Sequence, residues 1–169
     1  MYYINTFFIY SIIGFIFECI MSIINKTKIG SGILYGPWTP VYGLGGLLII
    51  LIFNYLFKIL KVKKYLEVII ALLVIMVILT FIEWLAGILI EKFFHVTFWD
   101  YRKFKFNIGK YISLEVSLFW TVAALIVIYI VQPLLDKFIY LIPNYVTYIL
   151  ILLMLLDYSI IIIKRKPHK

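Results

Sequence analysis

Five apolar stretches, each close to the ~20 helical residues needed to cross a hydrocarbon core, govern what this chain can fold into. They cover residues 3–24, 41–60, 66–90, 112–131 and 145–163. Between them lie only the connectors 26–40, 61–65, 91–111 and 132–144, followed by a basic tail from Lys164. A backbone in lipid must satisfy its own N–H and C=O groups, which leaves helices or closed barrels, and runs of this length select helices. The expected fold is an all-α integral membrane protein with about five transmembrane helices, a single polytopic domain over residues 1–169. Composition agrees: 65% of the residues are hydrophobic, 14% are charged and mean hydropathy is +1.09, far from the balance of a soluble domain.

The net charge of +8 does not point to nucleic acid, because the basic residues sit at the ends of apolar stretches and in short connectors. Topology and anionic lipid headgroups account for that placement, so membrane lipids are the first expected partner. Cys19 is the one cysteine, so no internal disulfide forms. The N-terminal stretch lacks a basic leader and a small-residue cleavage site and contains Glu18, which reads as a permanent span rather than a signal peptide.

Basic residues also vote on orientation. Lys58, Lys61, Lys63, Lys64 and Lys137 lie on the side of the second and fourth connectors, and the other eleven of the sixteen Lys and Arg residues lie on the opposite side. The positive-inside rule then expects a multi-pass cell-membrane protein with its N-terminus outside and its C-terminus cytoplasmic. The first connector mixes Gly30, Gly32, Gly36, Pro37 and Pro40 with Ile33, Leu34, Tyr35 and Trp38, apolar yet unable to form a regular helix. A re-entrant element after the first span and an ordinary interfacial loop are both open.

Each carboxylate near the middle of a span costs about 2.5–3.5 kcal/mol on insertion scales, yet Glu18, Glu83, Glu115 and Asp157 all fall within spans. At ~1.5 Å per residue they lie roughly 5–9 Å from their span midpoints, all toward the face of the first and third connectors. No Lys or Arg lies deep in any span. Each acid must therefore take a proton, share one, meet a basic loop residue, face a wet vestibule or bind a cation. Solvation near the interface is the ordinary account for Asp157 and Glu115; Glu18 and Glu83 lie more than a helical turn inside. Ser11, Gly14 and Glu18 share one helix face at i, i+3 and i+7, and Glu83, Gly87 and Glu91 another at i, i+4 and i+8.

The third connector is rich in aromatics. Trp99 and Tyr101 suit the headgroup region, Asp100 and Arg102 are spaced for an internal ion pair, and Asn107 with Gly109 signals a turn or helix entry. The functional expectation is a ligand or ion pocket of Glu18, Glu83, Glu115 and Ser11, with Tyr35 from the first connector and Trp99, Asp100, Tyr101, Arg102 and Asn107 as a lid. No catalytic residue, cofactor or metal site is expected, because no span carries histidine and His95 and His168 are far apart in the chain.

These residues resemble a known family of small multi-span membrane proteins, the putative ABC-transporter type IV or CmpB-like proteins. The likeness rests on Ser11, Gly14 and Glu18; LYGPWTPVYG at 34–43, with Gly45; Glu83, Trp84 and Gly87; Trp99, Asp100, Tyr101, Phe106, Asn107 and Gly109; and Leu114 and Glu115. Where the family usually has a basic or amide residue ahead of LYGP, this chain reads Gly30, Ser31 and Gly32, and Phe98 stands where a second Trp is common. The resemblance implies transport. The chain has no Walker A pattern, so an ATPase or further membrane subunit would be a separate partner, and a homo-oligomer is also open. The leading expectation is a small transporter-like or substrate-binding membrane subunit. The alternatives are a non-catalytic scaffold or regulatory subunit, and an intramembrane enzyme acting on a lipid or polyprenyl substrate through paired carboxylates.

Overall fold

The computed structural model describes residues 1–27, 30, 34–59 and 62–164. Within them the chain forms α1 (Tyr2–Ile24), α2 (Pro40–Ile59), α3 (Lys64–Phe94), a short hairpin of β1 (Asn107–Ile108) and β2 (Ile112–Ser113), α4 (Leu114–Ile126), α5 (Gln132–Ile139) and α6 (Asn144–Lys164). Among the described residues four helical segments are long and apolar enough to cross a membrane: Tyr2–Ile24, Lys64–Phe94, Leu114–Ile139 and Asn144–Lys164. The apolar part of α2, Pro40–Leu56, is shorter. The helical membrane-protein pattern expected from the sequence is thus present, with four membrane-length segments and α2 as a shorter fifth apolar helix.

Two boundaries differ from the sequence expectation. The fourth span does not stop at residue 131 but continues through a π turn, Val127–Val131, into α5. Pro133 cannot donate the N–H that an α-helix requires at that position, and a wider turn just before it absorbs the defect without ending the helix. The third span is also longer, 31 residues rather than the run to residue 90. Residues 28, 29, 31–33, 60 and 61 lie outside the described residues, and with them much of the Gly-rich start of the first connector and the Ser31 and Gly32 departure from the family pattern.

The chain divides into two compact units, one of Met1–Leu47 with Asp136–Lys169 and one of Leu48–Leu135. In lipid, helices gain little from hydrophobic burial against one another, so close packing and polar links hold them together. The first unit shows both. Thr147 of α6 donates to Asn5 of α1 at 2.6 Å, and the Tyr2 hydroxyl donates to Asp136 at 2.6 Å. Phe8, Trp38 and Met154 form its buried apolar cluster. In the second unit α3 packs along α4, with Ile49, Ile50, Ile75, Leu79, Ala124 and Ile128 as the core and a hydroxyl contact from Thr80 to Ser117 at 2.7 Å. The opposite face of α3 carries Ile69, Leu73, Val77 and Phe81, all exposed at i, i+4, i+8 and i+12, as a lipid-facing stripe.

Candidate functional site

In the first unit the α1 stripe is covered by the start of α2. A Cβ at Gly14 would collide with the Tyr42 ring, and one at Gly43 would collide with Ser11 and the Phe7 backbone. Ser11 is fully buried and donates its hydroxyl to the Phe7 carbonyl at 2.8 Å. One turn beyond Gly14, Glu18 accepts a hydrogen bond from the Tyr42 hydroxyl. The small residues of the stripe therefore let α2 approach closely enough for a tyrosine to reach the acid.

The first connector is packed where it is described. Asp157 of α6 accepts from the Tyr35 N–H at 3.0 Å, the Gly36 N–H at 2.8 Å and the Trp38 indole N–H at 3.0 Å. Thr39 donates its N–H to the Ser11 carbonyl at 2.9 Å. Asp157 is only 5% exposed, so solvation at the interface does not account for it; three donors do. It lies seven residues before the end of α6, roughly 10 Å along the axis, and the turn at 34–39 reaches that far in. The Tyr35 ring is exposed, with the Lys164 ammonium 4.8 Å from its centroid.

In the second unit residues 95–113 form a strap tied to α3 and α4. The Tyr101 hydroxyl donates to Glu83 at 2.5 Å, and the Trp120 indole donates to the same oxygen at 3.3 Å. Two turns further along α3, Glu91 accepts from the Lys110 ammonium and, at 2.5 Å, from the Tyr111 hydroxyl. Gly87, between the two acids, leaves room for the Tyr111 ring: a Cβ there would lie 2.6 Å from it. Glu115 sits in the first turn of α4, where the helix dipole favours a negative charge. It accepts the Ser113 hydroxyl at 2.6 Å and the Phe106 N–H at 3.1 Å, tying the hairpin to the helix.

The strap has its own internal order. Arg102 grips Asp100 through its Nε and Nη2, at 2.9 and 2.5 Å, and the guanidinium pulls the carboxyl down to about 2. Lys110 is held above the ordinary lysine range by its bond to Glu91. Asn107 donates its side-chain amide to the Gly109 carbonyl at 2.8 Å, and Gly109 adopts φ +65° to close the hairpin. Trp99 packs edge-on against Tyr111, and its indole nitrogen is buried with no hydrogen-bond partner among the described residues.

Of the residues singled out from sequence, Glu18, Ser11 and Tyr35 belong to the first unit, and Glu83, Glu115, Trp99, Asp100, Tyr101, Arg102 and Asn107 to the second. The structure brings Tyr101 to Glu83 and Arg102 to Asp100. Sequence reasoning missed the donors: Tyr42, Trp120, Tyr111, Lys110 and the backbone amides of residues 35 and 36. One signal was available, since a small residue beside an intramembrane acid leaves space that an aromatic hydroxyl can fill. Among the described residues no cluster of His, Cys, Asp and Glu has the arrangement of a metal site.

A predominantly helical chain with four membrane-length apolar segments, its acids capped by tyrosines, an indole and turn amides, is a multi-pass membrane protein. More specifically, the chain belongs to the putative ABC-transporter type IV family, whose model matches residues 5–163. No curated protein and no solved structure matches it.

Proposed function

We propose that this chain is a small transporter-like membrane subunit whose helix-borne carboxylates, Glu83 foremost, take up a proton or a small cation, and that it works with a separate ATPase or membrane subunit. The observation that carries this reading is the company Glu83 keeps. Its hydrogen-bond donors are the Tyr101 hydroxyl and the Trp120 indole, both neutral, and among the described residues no Lys or Arg pairs with it. A carboxylate on a membrane helix with neutral donors alone has either a proton or a cation as its charge partner. Tyr101 belongs to the strap, so occupancy at Glu83 and the position of the strap are linked through one hydrogen bond. The family description supports transport, and the Lys and Arg count supports a cytoplasmic strap.

The test is cation and proton flux in liposomes containing the purified chain, alone and with any ATPase that copurifies. Glu83→Gln is expected to abolish flux while leaving the helices folded; flux equal to the parent would remove the carboxylate from the mechanism. A second reading, a non-catalytic scaffold or regulatory subunit, is favoured by Asp157, a buried acid wholly engaged in holding the 34–39 turn. Copurification of a partner that survives Glu83→Gln, with no flux in either form, would select it.

A further inference from the structure

The second unit also carries an apolar groove of about 350 Å³, near the lower end of the ~300–1,000 Å³ typical of ligand pockets. Met76, Val77, Phe81 and Trp84 of α3 line one side, and Phe106 and Ile108 beside the hairpin turn line the other. On its floor Thr80 donates to Ser117, and Ser117 donates to the Ser113 carbonyl at 2.9 Å. Both hydroxyl protons are engaged, so the groove offers hydrocarbon contact and little else. Val77 is 64% exposed, in the middle of a helix able to cross a membrane, which lets lipid chains enter from the side.

At the hairpin end the chemistry changes. Lys105 immediately precedes the groove-lining Phe106 and holds its ammonium 5.4 Å from that ring's centroid. Lys105 is exposed, and among the described residues no carboxylate pairs with it. Glu115, which takes the Phe106 amide, has one oxygen occupied by that amide and the other by Ser113. Arg102 is answered by Asp100 and Lys110 by Glu91, but Lys103 is exposed close by and adds to the positive charge. A hydrocarbon groove ending at an unpaired cation on an aromatic hairpin matches a phospholipid in polarity and charge.

We propose that this groove binds an anionic phospholipid, with an acyl chain against Val77 and Phe81 and the headgroup phosphate against Lys105. A zwitterionic lipid offers the same chain but carries its own cation, so Lys105 confers a preference for net negative headgroups. One lysine near an anionic surface is worth about a fivefold preference. Trp84 lines the groove and reports on it. The experiment reconstitutes the protein in vesicles of phosphatidylcholine containing either brominated phosphatidylglycerol or brominated phosphatidylcholine and measures tryptophan quenching. Brominated phosphatidylglycerol should quench the Trp84 component at about one-fifth the mole fraction needed with brominated phosphatidylcholine. Lys105→Gln should bring the two together, Trp84→Phe should remove the difference, and millimolar glycerol phosphate should leave it unchanged. Equal quenching by the two lipids in the parent protein would overturn the proposal, as would a preference that survives Lys105→Gln or Trp84→Phe. Competition by glycerol phosphate would show a soluble anion site and overturn it equally. Lys105 and Trp84 are not part of the packed core, so gel filtration of both variants should match the parent.

Discussion

Asp157 and Asp100 show how differently two carboxylates can be held in one small chain. Asp157 is enclosed and satisfied by three N–H donors; hydrogen bonds to a charged group contribute about 1.5–3 kcal/mol each, and an orphaned buried donor costs about 1–3 kcal/mol. Asp157→Asn replaces one acceptor oxygen with an NH₂ group that faces donors. The expected loss is about 2–4 kcal/mol, read as a lower melting temperature in detergent and faster proteolysis in the 34–39 turn. Unchanged melting would mean the turn is held by Trp38 packing alone. Asp100 is solvent-facing, and its bond to Arg102 lowers its pKa to about 2 from an unfolded value of ~3.9. A depressed folded value gives a contribution that is present above about pH 4 and lost as the pH falls through about 2. The ion pair should therefore stay formed within the strap throughout the neutral range, and the Asp100 carboxyl resonance should titrate near 2; a midpoint near 4 would show that Arg102 does not engage it in solution.

At the scale of elements, α3 decides how the strap sits. Its 31 residues give a length of about 46 Å, well beyond the ~30 Å of a hydrocarbon core. Thr80 pairs with Ser117, only one turn into α4, so the last three turns of α3 extend past the start of α4 and the strap folds back along them. At Gly87 the Tyr111 ring lies directly against the helix backbone. Gly87→Leu would drive a side chain into the Tyr111 ring, breaking its bond to Glu91 at a cost of about 1–3 kcal/mol. Faster proteolysis confined to 95–113, with α3 and α4 intact, is the expected outcome, and an unaltered cleavage pattern would contradict the close packing. The helices themselves were legible because twenty-residue apolar runs leave the backbone no alternative in lipid. The acid-bearing stripes were legible from i, i+4 spacing, which is fixed by helix geometry. What fills those stripes was not: Tyr42, Tyr111 and Trp120 are one aromatic among many in a chain that is 19% aromatic, and only tertiary packing selects them. The π turn was equally hidden, because Pro133 reads locally as a stop and only a wider preceding turn carries the helix through it.

For the whole molecule, orientation and the use of the acids are the two open variables, and both follow from charge. With eleven of sixteen basic residues on the side of the strap, a cysteine at Lys105 in a Cys19→Ser background should be shielded from impermeant thiol reagents in intact cells; labelling before lysis would invert the orientation and place the strap outside. The acids are tested by a pair of isosteric changes. Glu18 and Glu83 each take a hydrogen bond from a tyrosine hydroxyl, Tyr42 and Tyr101, and glutamine keeps the acceptor oxygen while removing the charge. Folding should survive in both, since removing an intramembrane charge relieves an insertion cost of up to about 2.5–3.5 kcal/mol. Flux or growth phenotype should not survive. If both carboxylates serve one translocation event, the double variant should be little worse than either single, because effects on a shared step are not additive. Activity and melting temperature are measured together for Glu18→Gln, Glu83→Gln and the double variant. Multiplicative losses would assign the acids to independent steps, and full activity in all three would leave them as hydrogen-bond acceptors for the tyrosines that dock α2 and the strap. Unfolding in all three would make the carboxylate charge itself a condition of that docking, and the transport reading would lose both of its acids at once.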